Sequence, residues 1–210
     1  MILNNEIALL TADYLLQAKA VKLSPRELFT WASGIQSPIY CDNRVTLSYP
    51  DIRSFIREQF SKAIREKIGI PDLIAGVATG GIAQGALVAQ ELGLPFAYVR
   101  TSKKDHGLTN LIEGKVTAGQ SVVVVEDLIS TGKSSLEVVS ALRAAGCIIK
   151  GMVAIFTYNL PVAIKGFEDA DCTLVTLSDY DILVQKALEI NYINEEDLKV
   201  LKEFKQALSK

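Results

Sequence analysis

Two adjacent carboxylates, Glu126 and Asp127, separate an apolar run from a stretch of small residues. The valines at positions 122–125 are typical of a strand buried on both faces of a parallel sheet. The carboxylates are therefore expected at its carboxyl end, where open α/β sheets bind ligands. Positions 130–134 then begin a helix, whose free N–H groups and positive dipole end suit a phosphate. Because carboxylates accept hydrogen bonds from a diol, the pattern predicts a site for a ribose 5-phosphate.

Two other phosphate motifs are excluded here. Residues 132–134 resemble the end of an ATP-binding P-loop, but that motif has a glycine where Asp127 stands, and an acid there would oppose a triphosphate. A dinucleotide fingerprint requires G-x-G-x-x-G after a strand, which neither this loop nor residues 76–81 supply. A simple acidic turn that caps a helix is the structural alternative.

Two further segments could complete such a site. Residues 76–81 follow a predicted strand and precede a helix, and their glycines allow close backbone approach, although a tight turn would also use them. Residues 100–107 are either a solvated basic surface or the start of a lid, since residues 108–118 are predicted to be a loop. The basic side chains of this segment include the only histidine of the chain: Arg100, Lys103, Lys104 and His106.

The bulk composition predicts one domain with a small appendage. The chain has 210 residues, of which 49% are hydrophobic, so it can bury a substantial core. A formal charge of −2 argues against nucleic-acid or anionic-membrane binding. Three separated cysteines and one histidine disfavour a disulfide framework or a zinc site. With no leader-like amino terminus and no apolar run of membrane-spanning length, a soluble cytoplasmic protein is expected.

The elements alternate in the order typical of βαβ units. We predict strands at 72–77, 96–99, 121–126, 148–156 and 172–177. Helices are predicted at about 6–20, 49–68, 81–92, 132–145, 160–167, 178–188 and 194–209. The fold class is therefore α/β, with a mainly parallel, twisted sheet flanked by helices.

Three segments together resemble a known family. Residues 126–134 closely resemble the phosphoribosyl-pyrophosphate (PRPP) motif of type I phosphoribosyltransferases. Residues 29–40 look like the amino-terminal signature of the orotate phosphoribosyltransferase family, and residues 100–107 look like its mobile catalytic loop. Purine-salvage relatives share only the first motif. The combination therefore favours the orotate family over the purine enzymes, which remain the rival interpretation.

The resemblance implies a fold, an activity and partners. A small hood, roughly 1–45 plus part of 157–210, would cover a core at roughly 46–156. The reaction would join orotate to PRPP, giving orotidine 5-phosphate and pyrophosphate in UMP biosynthesis. Mg²⁺ would bind mainly through substrate phosphates, without dedicated protein ligands. A homodimer that shares its catalytic loop across subunits is expected.

The resemblance also assigns residues. Lys104, His106 and Asp127 are the catalytic candidates. Tyr40, Arg44 and Ser130 are the candidates for orotate, although Tyr40 could equally be a core aromatic. Lys133 belongs to the PRPP motif but is expected at an exposed helix start. The complete PRPP-binding set is Thr79, Gly80, Gly81, Arg100, Lys104, His106, Glu126, Asp127, Leu128, Ile129, Ser130, Thr131, Gly132, Lys133 and Ser134.

Several positions depart from the pattern of other family members. Those members carry basic or aromatic residues where this chain has Ala32, Cys41, Thr79, Gly80, Thr101 and the segment 157–159. Most of these differences remove positive charge near the pyrophosphate or the orotate that the resemblance implies. A regulatory protein that only senses PRPP is a further alternative, but it would need an added DNA-binding segment or a basic face.

Overall fold

The computed structural model describes residues 2–30, 34–100 and 111–209, and its centre is a six-stranded sheet. In these ranges the strands are β1 (Val21–Leu23), β2 (Phe29–Thr30), β3 (Gln36–Ser37), β4 (Ile39–Cys41), β5 (Leu73–Val77), β6 (Phe96–Val99), β7 (Ile112–Glu113), β8 (Ser121–Ile129), β9 (Ile148–Thr157) and β10 (Leu174–Asp179). The spatial order of the central sheet is β10-β9-β8-β5-β6-β7, and only β7 runs antiparallel to its neighbour. The predicted α/β class with a mainly parallel sheet is confirmed.

The helices begin where the sequence supplies caps. Asn4 caps the first helix by accepting a hydrogen bond from the N–H of Ile7, and Asn194 and Asp197 form a capping box at the last. The helices are α1 (Asn5–Gln17), α2 (Pro50–Ala63), α3 (Gly81–Leu92), α4 (Lys133–Ala144), α5 (Pro161–Asp169), α6 (Tyr180–Glu189) and α7 (Glu195–Leu208). A 3₁₀ turn (Asn43–Ser48) precedes α2, and a π turn (Ile64–Ile68) follows it. No helix among the described residues is long and apolar enough to span a membrane.

The valines of β8 explain why this strand lies at the centre of the sheet. Successive side chains of a strand point to opposite faces, and here both faces are covered. Val123 and Val125 pack into the core that includes residues of α1, α2 and α3, whereas Val122 and Val124 pack into the core beneath α4 and α5. All four are fully buried. Burying a side chain of this size contributes roughly 1.5–3 kcal/mol, so the run fixes the strand that carries the carboxylates.

Two short antiparallel ribbons in the amino-terminal region were not predicted. β1 pairs with β4, aligning Val21 with Cys41, and β2 pairs with β3. The N–H of Asp42 continues the first ribbon by donating to the carbonyl of Ala20 (2.8 Å). With two or three residues per strand, these ribbons have no hydrophobic alternation for a sequence pattern to detect. They position residues 40–44 near the end of β8.

Among the predicted boundaries that differ from the structure, two were wrong for a shared reason. The strand predicted at 121–126 continues to Ile129, because β9 keeps pairing with it as far as Ile129 opposite Thr157. The carboxylates therefore lie within the last part of the strand rather than after it. The loop predicted at 108–118 contains a short strand, Ile112–Glu113, which pairs with the end of β6. In both cases the partner strand, and not the local pattern, decided the structure.

Candidate active site

A cleft of about 360 Å³ opens at the carboxyl edge of β5 and β8. The carboxyl ends of neighbouring parallel strands meet there, which is where α/β sheets bind ligands. The cleft also reaches the amino-terminal region, so it joins three segments remote in sequence. Its lining residues are Cys41, Asp42, Arg44, Val77, Ala78, Thr79, Gly80, Glu126, Asp127, Leu128 and Ser134. Another cavity, of about 390 Å³, lies between α5 and β10, but it contains none of the predicted site residues.

Glu126 is the buried member of the carboxylate pair, with 4% of its surface exposed. Its Oε1 accepts a hydrogen bond from the backbone N–H of Asp127 (2.9 Å), and its Oε2 accepts one from the hydroxyl of Ser135 (2.8 Å). Burial, followed by repulsion from Asp127, raises the pKa of Glu126 well above its ordinary value. The strand and α4 thus hold this carboxyl group in one orientation at the wall of the cleft.

Asp127 faces the loop after β5. A Cβ atom added to Gly80 would overlap the Asp127 carboxylate, and one added to Gly81 would overlap the carbonyl oxygen of Val125. Gly80 has an ordinary helical φ of −63°, so close packing rather than an unusual backbone angle requires a glycine there. This packing places the loop at Thr79 beside the Asp127 carboxylate, so the two segments predicted to bind PRPP lie next to each other.

The start of α4 presents backbone N–H groups without side-chain caps. Gly132, the N-cap, has a φ of +77°, and no side chain caps the helix. The N–H of Leu136 makes the first hydrogen bond into the helix, to the carbonyl of Gly132 (2.9 Å). Ser134 is exposed and lines the cleft, while Lys133 is exposed but does not line it. The free N–H groups of a helix start and the nearby hydroxyls suit a phosphate group.

The base-side candidates differ in their placement. Arg44 lines the cleft, and its guanidinium donates to both carboxylate oxygens of Asp42, at 2.7 and 2.9 Å. These hydrogen bonds lower the pKa of Asp42. Tyr40 is not among the described residues that line the cleft; its ring packs against Phe29 with centroids 5.7 Å apart. Ser130, the third candidate, is also not among the described residues that line the cleft, so Arg44 is the best placed of the three for contact with a base.

Comparison with known proteins identifies the family. The phosphoribosyl transferase domain family matches residues 48–165. The orotate phosphoribosyltransferase of Phocaeicola vulgatus is 59% identical over 192 residues, which is 91% of each chain. The chain belongs to the orotate phosphoribosyltransferase family.

Further orotate phosphoribosyltransferases agree with this assignment. The protein of that name from Bacteroides fragilis is 56% identical over 197 residues, covering 94% of this chain and 93% of the relative. The crystal structure of orotate phosphoribosyltransferase from Aeropyrum pernix matches with a TM-score of 0.75 over 87% of this chain and 99% of that one. At 24% sequence identity, the structural likeness concerns the fold. The family resemblance read from the sequence motifs is confirmed.

The basic segment of this family member is described only at its first residue. Arg100 follows β6, where its N–H donates to the carbonyl of Leu111 (2.9 Å) and its guanidinium pairs with Glu113 at 3.3 Å. Arg100 is not among the described residues that line the cleft. Lys104 and His106, the predicted catalytic residues, lie outside the described residues, as do Lys103, Thr101 and Ala32. Their roles stay predictions.

Sequence reasoning assigned no role to two residues that support the site. Ser135 orients Glu126, and the side-chain amide of Asn43 donates to the carbonyl of Asp127 (2.7 Å). Ser135 lies one position past the predicted phosphate-binding stretch, so helical spacing could have indicated that it faces back toward the strand. Asn43 lies 84 residues from its partner, and no local pattern connects them.

Proposed function

We propose that this chain transfers the 5-phosphoribosyl group from PRPP to orotate, giving orotidine 5-phosphate and pyrophosphate in pyrimidine biosynthesis. The observation that carries the proposal is the cleft itself. It unites the acidic pair on β8, the glycine loop after β5 and the family's amino-terminal segment around Arg44. The carboxylates would accept hydrogen bonds from the ribose hydroxyls, and the adjacent start of α4 would bind the 5-phosphate. Arg44 supplies a cation on the side where the base would enter.

The residues of the chain would act on charge that develops during the transfer. The bond between ribose C1 and pyrophosphate breaks while a ring nitrogen of orotate loses its proton to solvent or to pyrophosphate and bonds to C1. In the transition state the sugar gains positive charge and the leaving group gains negative charge. A carboxylate at Asp127 would hold the ribose diol and stabilise the cationic sugar, and Glu126 would support it from the wall. Arg100, Lys104 and His106 would neutralise the leaving pyrophosphate, a role inferred from the family resemblance.

We propose that Mg²⁺ enters with PRPP. In the described ranges, no three His, Cys, Asp or Glu side chains are grouped to hold a metal ion. Both oxygens of Glu126 already accept hydrogen bonds, so the partly exposed carboxylate of Asp127 is the better oxygen donor in the cleft. Mg²⁺ usually binds one or two carboxylates together with substrate phosphates and waters, and it would neutralise part of the pyrophosphate charge.

Orotate carries a carboxylate that requires a donor. Arg44 is the cation that lines the described cleft, and its side chain is 58% exposed despite the bond to Asp42. We propose that some of the guanidinium N–H groups of Arg44 donate to the orotate carboxylate. The planar guanidinium group can donate two parallel hydrogen bonds to a carboxylate. Ser130, next to the end of β8, is the second candidate donor.

The remaining assignments rest on the family resemblance. We propose a cytoplasmic homodimer in which residues 100–107 of one subunit reach the site of the other. Sedimentation of the purified protein should give the mass of a dimer. Mixing two inactive variants, one altered at Lys104 and one at Asp127, should restore part of the activity, because a mixed dimer would contain one intact shared site.

The decisive test is the ultraviolet assay of orotate consumption with PRPP and Mg²⁺. Turnover is expected with the parent protein, and no turnover would overturn the proposed function. Lys104→Ala should lower kcat by at least tenfold, whereas Lys103→Ala, a matched change at the neighbouring lysine, should have a much smaller effect. Adenine or guanine in place of orotate should leave PRPP unconsumed, and consumption would instead favour a purine enzyme. Removal of divalent metal by a chelator should abolish turnover, and added Mg²⁺ should restore it.

A further inference from the structure

Asn43 connects the base side of the cleft to the ribose side. Its side-chain Nδ2 donates to the backbone carbonyl of Asp127 at 2.7 Å, and only 1% of its surface is exposed. Its neighbours Asp42 and Arg44 both line the cleft. A partly buried hydrogen bond of this length between distant segments restricts how far they can move apart. One amide thus fixes the position of the base-side segment relative to the ribose carboxylate.

A second hydrogen bond sets the direction of this amide. The thiol of Cys41 donates to Oδ1 of Asn43 at 3.3 Å, which leaves Nδ2 facing the Asp127 carbonyl. Burial, together with the nearby carboxylates of Asp127 and Asp42, raises the pKa of the Cys41 thiol, so that the sulfur keeps the proton it donates. Thr46 makes a separate bond to the same residue, from its hydroxyl to the backbone carbonyl of Asn43 (2.6 Å).

We propose that Asn43 is a positioning residue of the transfer reaction and that Cys41 fixes the orientation of its amide. The inference deepens the proposed function and rests on it. PRPP would be held by the loops at 79–81 and 130–134 and by the Asp127 carboxylate, whereas the Asn43 amide bonds to the backbone carbonyl of Asp127 and leaves that carboxylate free to bind. The alignment of the base with ribose C1 depends instead on the distance between Arg44 and Asp127, which the Asn43 amide sets. Removing the amide should therefore affect the chemical step more than PRPP binding.

The first experiment compares two buried substitutions at neighbouring hydrogen bonds. Asn43→Leu keeps the size but removes the bond to Asp127, and kcat with orotate should fall roughly 10- to 100-fold, as expected for a small misalignment. The KM for PRPP should stay within about threefold. Thr46→Val removes only the bond to the Asn43 backbone and should keep kcat within about threefold. Thermal unfolding of both variants measures their stability.

Two results would overturn the inference. One is an unchanged kcat in folded Asn43→Leu. The other is an equal loss of kcat in Thr46→Val, which would mean that general weakening of the turn causes the effect. Failure of the proposed function is a different outcome, because the parent protein itself would then not consume orotate.

A second pair of variants tests the thiol and does not depend on the folding of Asn43→Leu. Cys41→Ala removes the donor to Oδ1, so the amide can rotate, and kcat should fall about three- to tenfold. Cys41→Ser keeps a donor and should retain more of kcat than Cys41→Ala does. Equal kcat values in the two variants would overturn the role of Cys41.

Discussion

The two loops of the cleft, at residues 78–81 after β5 and at 130–134 after β8, share a strand–glycine–helix pattern but use their glycines differently. In the first loop Gly80 and Gly81 are needed because a Cβ atom would overlap Asp127 or Val125. In the second, Gly132 is needed chiefly because its φ is +77°, a conformation that disfavours other residues, and a Cβ atom there would also lie 3.0 Å from the ring of Phe167. The same residue type therefore reflects packing in one loop and backbone geometry in the other, which gives the two loops different sensitivities to mutation.

The largest effect is expected in the packed loop. Gly81→Ala places a methyl group on the backbone carbonyl of Val125, which cannot move without distorting β8, so a loss of about 3 kcal/mol or more is expected. Gly80→Ala instead meets the Asp127 side chain, which can rotate away. The Gly80→Ala variant should therefore lose less stability than Gly81→Ala. It should still lose orotate turnover, because the Asp127 carboxylate is displaced from the cleft. Denaturant unfolding and the orotate assay separate the two variants; equal stability losses would contradict the distinction.

The second loop should respond through its backbone. Gly132→Ala forces an alanine into the left-handed region, at a cost of about 1–2 kcal/mol, and should also weaken PRPP binding. Gly93→Ala is the matched control, because Gly93 has a φ of +67° at the end of α3 and open space around its Cα. Gly132→Ala should lose more stability by thermal unfolding than Gly93→Ala, because its Cβ would also lie 3.0 Å from the ring of Phe167. Calorimetric titration with PRPP should show weaker binding only for Gly132→Ala.

Adjacent serines at the start of α4 provide a smaller contrast. Ser134 lines the cleft, whereas Ser135 is buried against Glu126. Ser134→Ala should raise the KM for PRPP roughly fivefold, equivalent to about 1 kcal/mol, without a change in stability. Ser135→Ala should instead lower the free energy of unfolding by about 1 kcal/mol, because a buried hydrogen bond is lost. If Ser134→Ala left the KM for PRPP unchanged, its proposed contact with the 5-phosphate would be wrong.

The smallest effect concerns the pH dependence of stability. The pKa of Glu126 is raised in the folded protein, so the folded state binds this proton more tightly than the unfolded chain does. The pKa of a glutamate in the unfolded chain is about 4.3. The parent protein therefore loses stability as the pH rises from there through the higher pKa that Glu126 has in the folded state. Glu126→Gln has no such proton. The Tm of this variant minus the Tm of the parent should therefore increase by roughly 2–4 °C between pH 5 and pH 8. A Tm difference that shrinks over this range would contradict the assignment.

Much of the fold followed from local patterns. The strand predicted at 96–99 and the helix at 81–92 have the predicted bounds, because the short apolar run at 96–99 and the glycines at 81 and 93 are local signals. The end of β8 did not follow, since its last residues are strand only through pairing with β9. The amino-terminal ribbons also escaped prediction because their strands are too short to show a period.

The candidate site divides in the same way. Spacing alone brought the acidic pair and the phosphate loop together, since both lie on one strand–loop–helix unit. It could not show that Glu126 points to Ser135, or that Arg44 is already bonded to Asp42. These are choices of side-chain orientation, and they depend on partners that only packing supplies.

The sequence by itself determined the residue types of the candidate site: the buried valine run, the carboxylates that follow the valines, the glycine loops and the motifs that mark the family. Each of these features lies within a few consecutive residues, so the residue types and their spacing are enough to specify it. The tertiary structure alone decided how the amino-terminal segment around Arg44 meets the end of β8. That relation depends on the hydrogen bond between Asn43 and Asp127, which joins segments 84 residues apart and exists only once the chain has folded.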